Sequence, residues 1–475
     1  MAVTASPTHA LPVSHDFRSE ARQLVQLAWP LIVAQLAQMA MGVVGTLAAG
    51  RLGVRALAAQ ALGATVFILV LITAFGLMAG VDPHVSRAMG AGDFDRAGRL
   101  FRQGLWLSLF AGIPLTAVVL VAPQVLVAMG QEPELVTNTA LYLKFAALGV
   151  IPGMIYAMCR SFASAVGKTR AVMVVAIVGN GLHAAMAFAW AVSDPSDVAG
   201  GLLNLGLATL VCRVLMAVLL LAWVQWAPTF RAVQAPYGWP RVHELGPILR
   251  SGLPLGLQYG LEVTGFVLTT LWMGLLGAEV LAAHEVALTT AAIAFQVPFS
   301  LGTAAAMRLG HAVGRRDAPG LRRAGWTAFV LGIAFAVLSG VVMLLSRVWI
   351  AHAYLPDAPA AVLALSVHFL AIGAAFQLAD AVQAIGFGVL RGLDDTRLPV
   401  VFNVLGFALL GLPMGYVTVF VYHQHPDRLW WGLSLALAVV AAALMLRFWW
   451  WTHNTHRVVG MTEPATAPAT RSFAI

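Results

Sequence analysis

The chain has 475 residues, of which 60% are hydrophobic and only 10% charged, with a mean hydropathy of +0.84. Soluble globular proteins carry about 25% charge, so a soluble domain is excluded and a polytopic membrane protein is expected. The two cysteines, Cys159 and Cys212, exclude a disulfide framework or a cysteine metal cluster, and the net charge of +8 is better explained by membrane orientation than by nucleic acid.

In chain order, residues 1–23 are polar and lack the apolar core of a signal peptide. Twelve stretches then reach the ~20 apolar residues that a membrane-crossing helix needs: 24–48, 57–81, 101–122, 138–160, 171–192, 201–224, 247–272, 281–303, 324–346, 361–388, 398–421 and 429–451. A linker over 226–246 holds Pro228, Arg231, Pro240 and Arg241, and the tail over 452–475 is rich in Thr, Ala and Pro, a composition typical of disorder. Of the 28 Lys and Arg residues, 22 fall in the termini and even-numbered loops or at the adjoining span ends, against 4 on the other side. That bias expects both termini in the cytoplasm and supports an even number of spans.

The chain repeats with an offset of 224: Pro30-Leu31 falls on Pro254-Leu255, Gly53 on Gly277, Phe75 on Phe299, Gly90 on Gly314, Asp93 on Asp317 and Arg99 on Arg323. Further on, Thr169-Arg170 falls on Thr396-Arg397 with an offset of 227. An all-α fold of two pseudo-symmetric six-helix bundles follows, an N-lobe over 24–225 and a C-lobe over 247–451. Such an arrangement places a cleft between the lobes near the membrane midplane.

Two carboxylates interrupt apolar spans of the second bundle. Glu262 lies 12 residues beyond Arg250 and Asp380 lies 11 before Arg391, which puts each about 16–18 Å along its helix at ~1.5 Å per residue. A charge at the bilayer centre costs at least about 2.5–3.5 kcal/mol. Two acids at one depth suit proton or cation binding. The bland alternative is two separate side chains, each satisfied by a nearby backbone or hydroxyl group. Glu285, roughly 34 Å from Arg308 along its helix, reads equally as a solvated mouth residue or a substrate contact. Lys144 is placed to snorkel, and Arg213 is a deeper cation of unassigned partner. For His183 and His368, hydrogen bonding is the favoured role.

Gln35, Gln38, Gln60 and Asn180 supply neutral polar groups in the first bundle. Gln38 is the repeat partner of Glu262; helix–helix hydrogen bonding is the favoured role for each of the four, and Gln38 and Asn180 are the best cavity candidates among them. Tyr259, Phe266, Phe295, Phe376 and Met273 flank the acids; they fit flat cationic ligands through cation–π and apolar contact, and fit ordinary helix packing equally well. No phosphate loop or Cys/His metal spacing is present, so no cofactor is expected and coupling to an ion gradient is the economical reading.

Several segments resemble the multidrug and toxic compound extrusion (MATE) transporters: AWPLIVAQLAQMAMGVVGTLAAGRLG in the first span, LEVTGF in the seventh, LAAHEVALTTAAIAFQVPFSLGTAAAMRLGHAVG over Leu281–Gly314, and DAVQAIGFGVLRGLDDTRLP through the tenth into its loop. The likeness spans nearly the whole chain, in order, and is to the NorM-type bacterial branch. It implies a secondary multidrug antiporter of the bacterial inner membrane, a monomer that exports amphipathic, cationic compounds, with Glu262 and Asp380 as the coupling site. Three positions depart from the family pattern. Gly45 stands where the first span carries an Asp. Phe376 stands where a hydroxyl often assists the cation site, which favours H+ over Na+ as coupling ion. Glu285 and Thr289 replace a Gln and an Asn of the eighth-span signature and join the candidate substrate contacts. Competing readings are a lipid-linked saccharide flippase, disfavoured by the acidic second bundle, and a channel or membrane-embedded enzyme, for which no constellation is seen.

Overall fold

A computed structural model describes residues 11–192, 194, 196–228, 230 and 238–454. Fifteen α-helices are found among them. Those of the N-lobe are α1 (Phe17–Arg51), α2 (Val54–Ala79), α3 (Asp82–Ala91), α4 (Phe94–Ala128), α5 (Pro133–Ala146), α6 (Val150–Ala165), α7 (Thr169–Met186) and α8 (Val198–Trp226). Those of the C-lobe are α9 (Val242–Leu275), α10 (Ala278–Gly314), α11 (Ala318–Tyr354), α12 (Ala360–Gly392), α13 (Arg397–Asn403), α14 (Leu412–Tyr416) and α15 (Asp427–His453).

The twelve expected spans are all present as helices. Eleven are long and apolar enough to cross a membrane, with α2 running on into α3, α5 into α6, and α13 into α14 as single units. The twelfth is α9, 34 residues long, whose Gln258 and Glu262 make it less apolar. It begins at Val242, so the expected linker is shorter by one helical turn; residues 229 and 231–237 of it, and 455–475 of the expected tail, lie outside the described residues. Apolar side chains such as Val337, Leu338, Val341, Val342 and Leu345 on α11 are exposed, as a helix facing lipid tails requires.

The repeated residues have structural reasons to recur. Gly53 and Gly277 adopt φ of +110° and +126°, where a side chain would be strained. Asp93 accepts from the Arg96 amide at 2.9 Å and Asp317 from the Gly320 amide at 2.8 Å, capping the helices that follow. At α1, Asp16 and Ser19 cap each other, and those contacts hold the exposed Asp16 carboxyl below the usual carboxylate range.

The helix ends where the Lys and Arg residues cluster form one face of the molecule, here called the basic face. The lobes join on that half. Helix α2 crosses α9 so closely that a Cβ at Gly80 would lie 2.5 Å from the Gly252 Cα, and one at Gly76 would lie 2.6 Å from the Leu255 carbonyl. Leu24, Leu27 and Ala28 of α1 belong to the C-lobe core. The polar segment before α1 also docks there: Arg308 donates to the Pro12 carbonyl at 2.7 Å and Arg323 to that of Ser14 at 2.5 Å. His84–Ser251 at 3.1 Å, Arg99–Glu244 at 3.3 Å and the Arg308–Glu20 pair all join the lobes on the basic half, and there they close the cleft.

Candidate functional site in the C-lobe and the cleft

Glu262 on α9 and Asp380 on α12 lie close enough to act on each other electrostatically. The two helices run in opposite directions, so the residue one turn toward the opposite face is Phe266 on α9 and Phe376 on α12. These two rings meet edge to face with centroids 6.3 Å apart. Phe266 also packs on Phe407 at 6.2 Å and Phe376 on Trp430 at 5.6 Å. An aromatic cluster therefore adjoins both acids on their outer side. Asp380 is only 6% exposed and Glu262 is half-buried. Among the described residues neither carboxylate pairs with a Lys, Arg or His, and neither accepts a protein hydrogen bond. Two unpaired acids with no internal partner can take up protons or an incoming cation, and removing them from water is costly otherwise.

The same helix faces carry buried amides that the sequence reading passed over. Gln258, one turn before Glu262, and Gln383, three residues after Asp380, are both buried with neither side-chain polar atom partnered. Their spacing of four and three residues from the acids is the signal that marks them.

Toward the basic face the cleft narrows to a cavity of about 30 Å³, room for roughly two waters. Arg391 organises it: Nη1 donates to the Tyr259 hydroxyl at 3.0 Å and Nη2 to Thr303 Oγ1 at 3.2 Å, and Nε faces Asp82 Oδ2 at 3.7 Å. From the N-lobe, Arg160 donates to Gln35 Oε1 at 2.8 Å. Below that, His84 and Ser251 bond at 3.1 Å, Ser251 donates to Asp394 at 2.5 Å, and Arg87 lies 3.7 Å from Asp394. Arg308 and Glu20 complete the closure with Nε–Oε1 at 2.7 Å and Nη2–Oε2 at 2.6 Å. Arg308 and Arg391 thus correct the sequence reading: taken there as markers of the membrane edge, they are 3% and 5% exposed and tie helices together. Asp82, one residue past the end of the expected second span, starts α3 and is buried.

The other candidates are dispersed. Gln38 accepts from Arg213 Nη1 at 3.2 Å. Gln60 is buried against Gly45, where a Cβ would lie 3.1 Å from its Nε2. Asn180 donates to the Ala176 carbonyl at 2.7 Å and leaves Oδ1 unpartnered. None of these three is hydrogen-bonded to the C-lobe acids. Glu285 is exposed and Thr289 half-buried. Lys144 is exposed beside the Phe145 ring. His368 bonds to Asp427 at 3.2 Å, on the opposite face, and His425 lies 3.1 Å from the same carboxylate.

The MatE family model matches residues 30–189 and 254–417, so its two matches begin 224 residues apart, the offset of the internal repeat. The chain is 37% identical over 443 residues to a probable multidrug resistance protein NorM of Mesorhizobium japonicum, covering 91% of this chain and 94% of that one. It is 35% identical over 448 residues to the multidrug resistance protein PmpM of Pseudomonas aeruginosa, covering 92% and 93%. In backbone it is similar to the eukaryotic MATE transporter AtDTX14, with a TM-score of 0.85 at 19% identity over 94% of this chain and 99% of that one. It is also similar to an outward-facing MATE transporter of the MOP superfamily, with a TM-score of 0.83 at 18% identity over 95% and 100%. Repeat, fold and full-length identity agree, and the chain belongs to the MatE family.

Proposed function

We propose that this protein is a multidrug efflux antiporter that exchanges amphipathic, cationic compounds for protons across the bacterial inner membrane, with the basic face in the cytoplasm. The observation that carries the reading is the pair Glu262 and Asp380, two neighbouring membrane-depth carboxylates with no cationic partner among the described residues. The relatives named for multidrug resistance support the export of drugs.

The cycle follows from the charges. With the cleft open to the cytoplasm, the deprotonated acids attract a cationic compound, and Phe266 and Phe376 offer aromatic faces to its apolar body. The lobes then rock to the state seen here, closed at the basic face. Protons entering from outside neutralise the acids, the attraction is lost, and the compound leaves. The protons are later released inward. Na+ is a hard cation that wants several oxygen ligands; the aromatic residues on the outer side of the acids supply none, and the neutral oxygens one turn to the inner side are those of two amides, Gln258 and Gln383, which favours H+.

The direct test is drug efflux from proteoliposomes, driven separately by a pH gradient and by a Na+ gradient. The reading expects the pH gradient alone to suffice. Efflux driven only by Na+ would overturn the proton assignment, and efflux driven by neither would overturn antiport.

A further inference from the structure

The lobes carry opposite charge at mid-membrane. Arg213 sits on α8, 15 residues after Val198 and 13 before Trp226, so about 20 Å from either end at ~1.5 Å per residue. It is 7% exposed. Under the 227-residue offset that holds in this part of the chain its counterpart is Val440, and under the 224-residue offset the counterpart of Glu262 is Gln38. The N-lobe therefore has an arginine without an acid, and the C-lobe two acids without an arginine.

The guanidinium is incompletely satisfied. Nη1 donates to Gln38 Oε1 at 3.2 Å, and the buried Nε has no partner. No carboxylate pairs with Arg213 among the described residues. Gly149 and Gly153 pack along its stem, where a Cβ on either would make ordinary contact at 3.5 to 3.8 Å. Tyr142, Tyr156, Cys212 and His183 lie within electrostatic reach of the charge. Tyr156 Oη and His183 Nδ1 are buried, and neither has a well-formed hydrogen bond; the Tyr156 hydroxyl faces Gln38. The cluster is rich in donors: guanidinium N–H groups, a phenol and an imidazole. A buried cation with no opposite charge is strongly unfavourable, and idle donors around it add to that cost. An anion answers both. Gln38 is half-buried, one turn along α1 from Gln35, which lines the central cavity.

We propose that Arg213, Gln38, Tyr156 and His183 form a binding site for one monovalent anion inside the N-lobe, either a halide or the carboxylate of a transported compound. The site would hold negative charge in the lobe opposite the proton-binding pair, so that a compound bearing an amine and a carboxylate meets a complementary group in each lobe. The carboxylate source rests on the efflux reading above; the halide source does not.

The test is equilibrium binding to the purified full-length protein in detergent, which needs no transport. Radiolabelled chloride is titrated at constant ionic strength against gluconate. In parallel, an amphoteric compound and its methyl ester are titrated by tryptophan fluorescence. Each titration is repeated with Arg213→Gln and Arg213→Lys, with folding checked by circular dichroism. Saturable chloride binding near one per protein, weakened ~tenfold or more in Arg213→Gln (about 1.4 kcal/mol) and partly kept in Arg213→Lys, supports a halide site. Tighter binding of the acid than of its ester, with the difference lost in Arg213→Gln, supports the carboxylate. If Arg213→Gln does not fold, the wild-type chloride isotherm and the acid-to-ester ratio decide the matter. Folded wild-type protein that binds no chloride and treats acid and ester alike overturns the proposal. Persistence of efflux after neutralising Glu262 or Asp380 would overturn the antiport reading and leave the chloride result standing.

Discussion

Glu20 and Arg308 form a two-pronged ion pair, with side chains 1% and 3% exposed, between the first turn of α1 and the basic-face end of α10. Arg308 spends its remaining donors on the Pro12 carbonyl and the Ser14 hydroxyl, so the chain before α1 is part of the closure. Removing one member of a buried pair leaves a bare charge, at a cost of about 3–5 kcal/mol. Glu20→Ala should therefore lower the thermal unfolding temperature clearly, and Glu20→Leu with Arg308→Met should lower it less than the two single changes added together. Strict additivity in that double-mutant cycle would show the pair is not coupled.

The crossing of α2 and α9 depends on missing side chains. A Cβ at Gly80 would meet the Gly252 backbone at 2.5 Å, and backbone does not move aside as a flexible side chain does. Gly80→Val should hold the basic face apart. Spin labels on that face of each lobe should report longer distances than in the unsubstituted protein, with the protein still inserted in the membrane. Unchanged distances would mean the crossing tolerates the added volume.

Phe376 sits one turn from Asp380 and offers no oxygen. Phe376→Tyr would place a hydroxyl close to the acid pair. Efflux in proteoliposomes should then be stimulated by Na+ in the variant and, on the proposed proton coupling, by a pH gradient alone in the parent. A variant with no Na+ response would show that the missing hydroxyl does not set ion choice.

Gly45 faces the flexible end of the Gln60 side chain. Gly45→Asp should therefore fold, with its carboxylate accepting from the Gln60 amide. It adds a titrating group to a lobe whose mid-membrane charge is Arg213, so export should depend more steeply on pH. An identical pH profile would show that this position lies outside the coupling route.

Much of this molecule could be read from its residues. The twelve spans and the repeat were legible because lipid demands long apolar helices and because Gly53, Gly277, Asp93 and Asp317 serve turns and caps that only a few residue types can make. Glu262 and Asp380 were visible as charges in the wrong solvent. The closure between the lobes was not legible. Arg308, Arg391 and Arg87 lie in segments where arginine also marks membrane orientation, and nothing local distinguishes an arginine buried against another helix from one in water. Asp82 was hidden the same way, at a helix start that continues the span before it. Gln258 and Gln383 could have been found by their helical spacing from the acids. The lack of a carboxylate partner for Arg213 needed the fold, since pairing is a property of neighbours far apart in sequence.

The central claim is that Glu262 and Asp380 together carry ion coupling. The most direct measurement is drug export by Glu262→Gln and Asp380→Asn in membrane vesicles under an imposed pH gradient, at matched protein levels. Export at background level in both variants, with drug-free protein as stable as the parent, is the expected result. Proton-driven export at the parent rate in either variant would contradict the account.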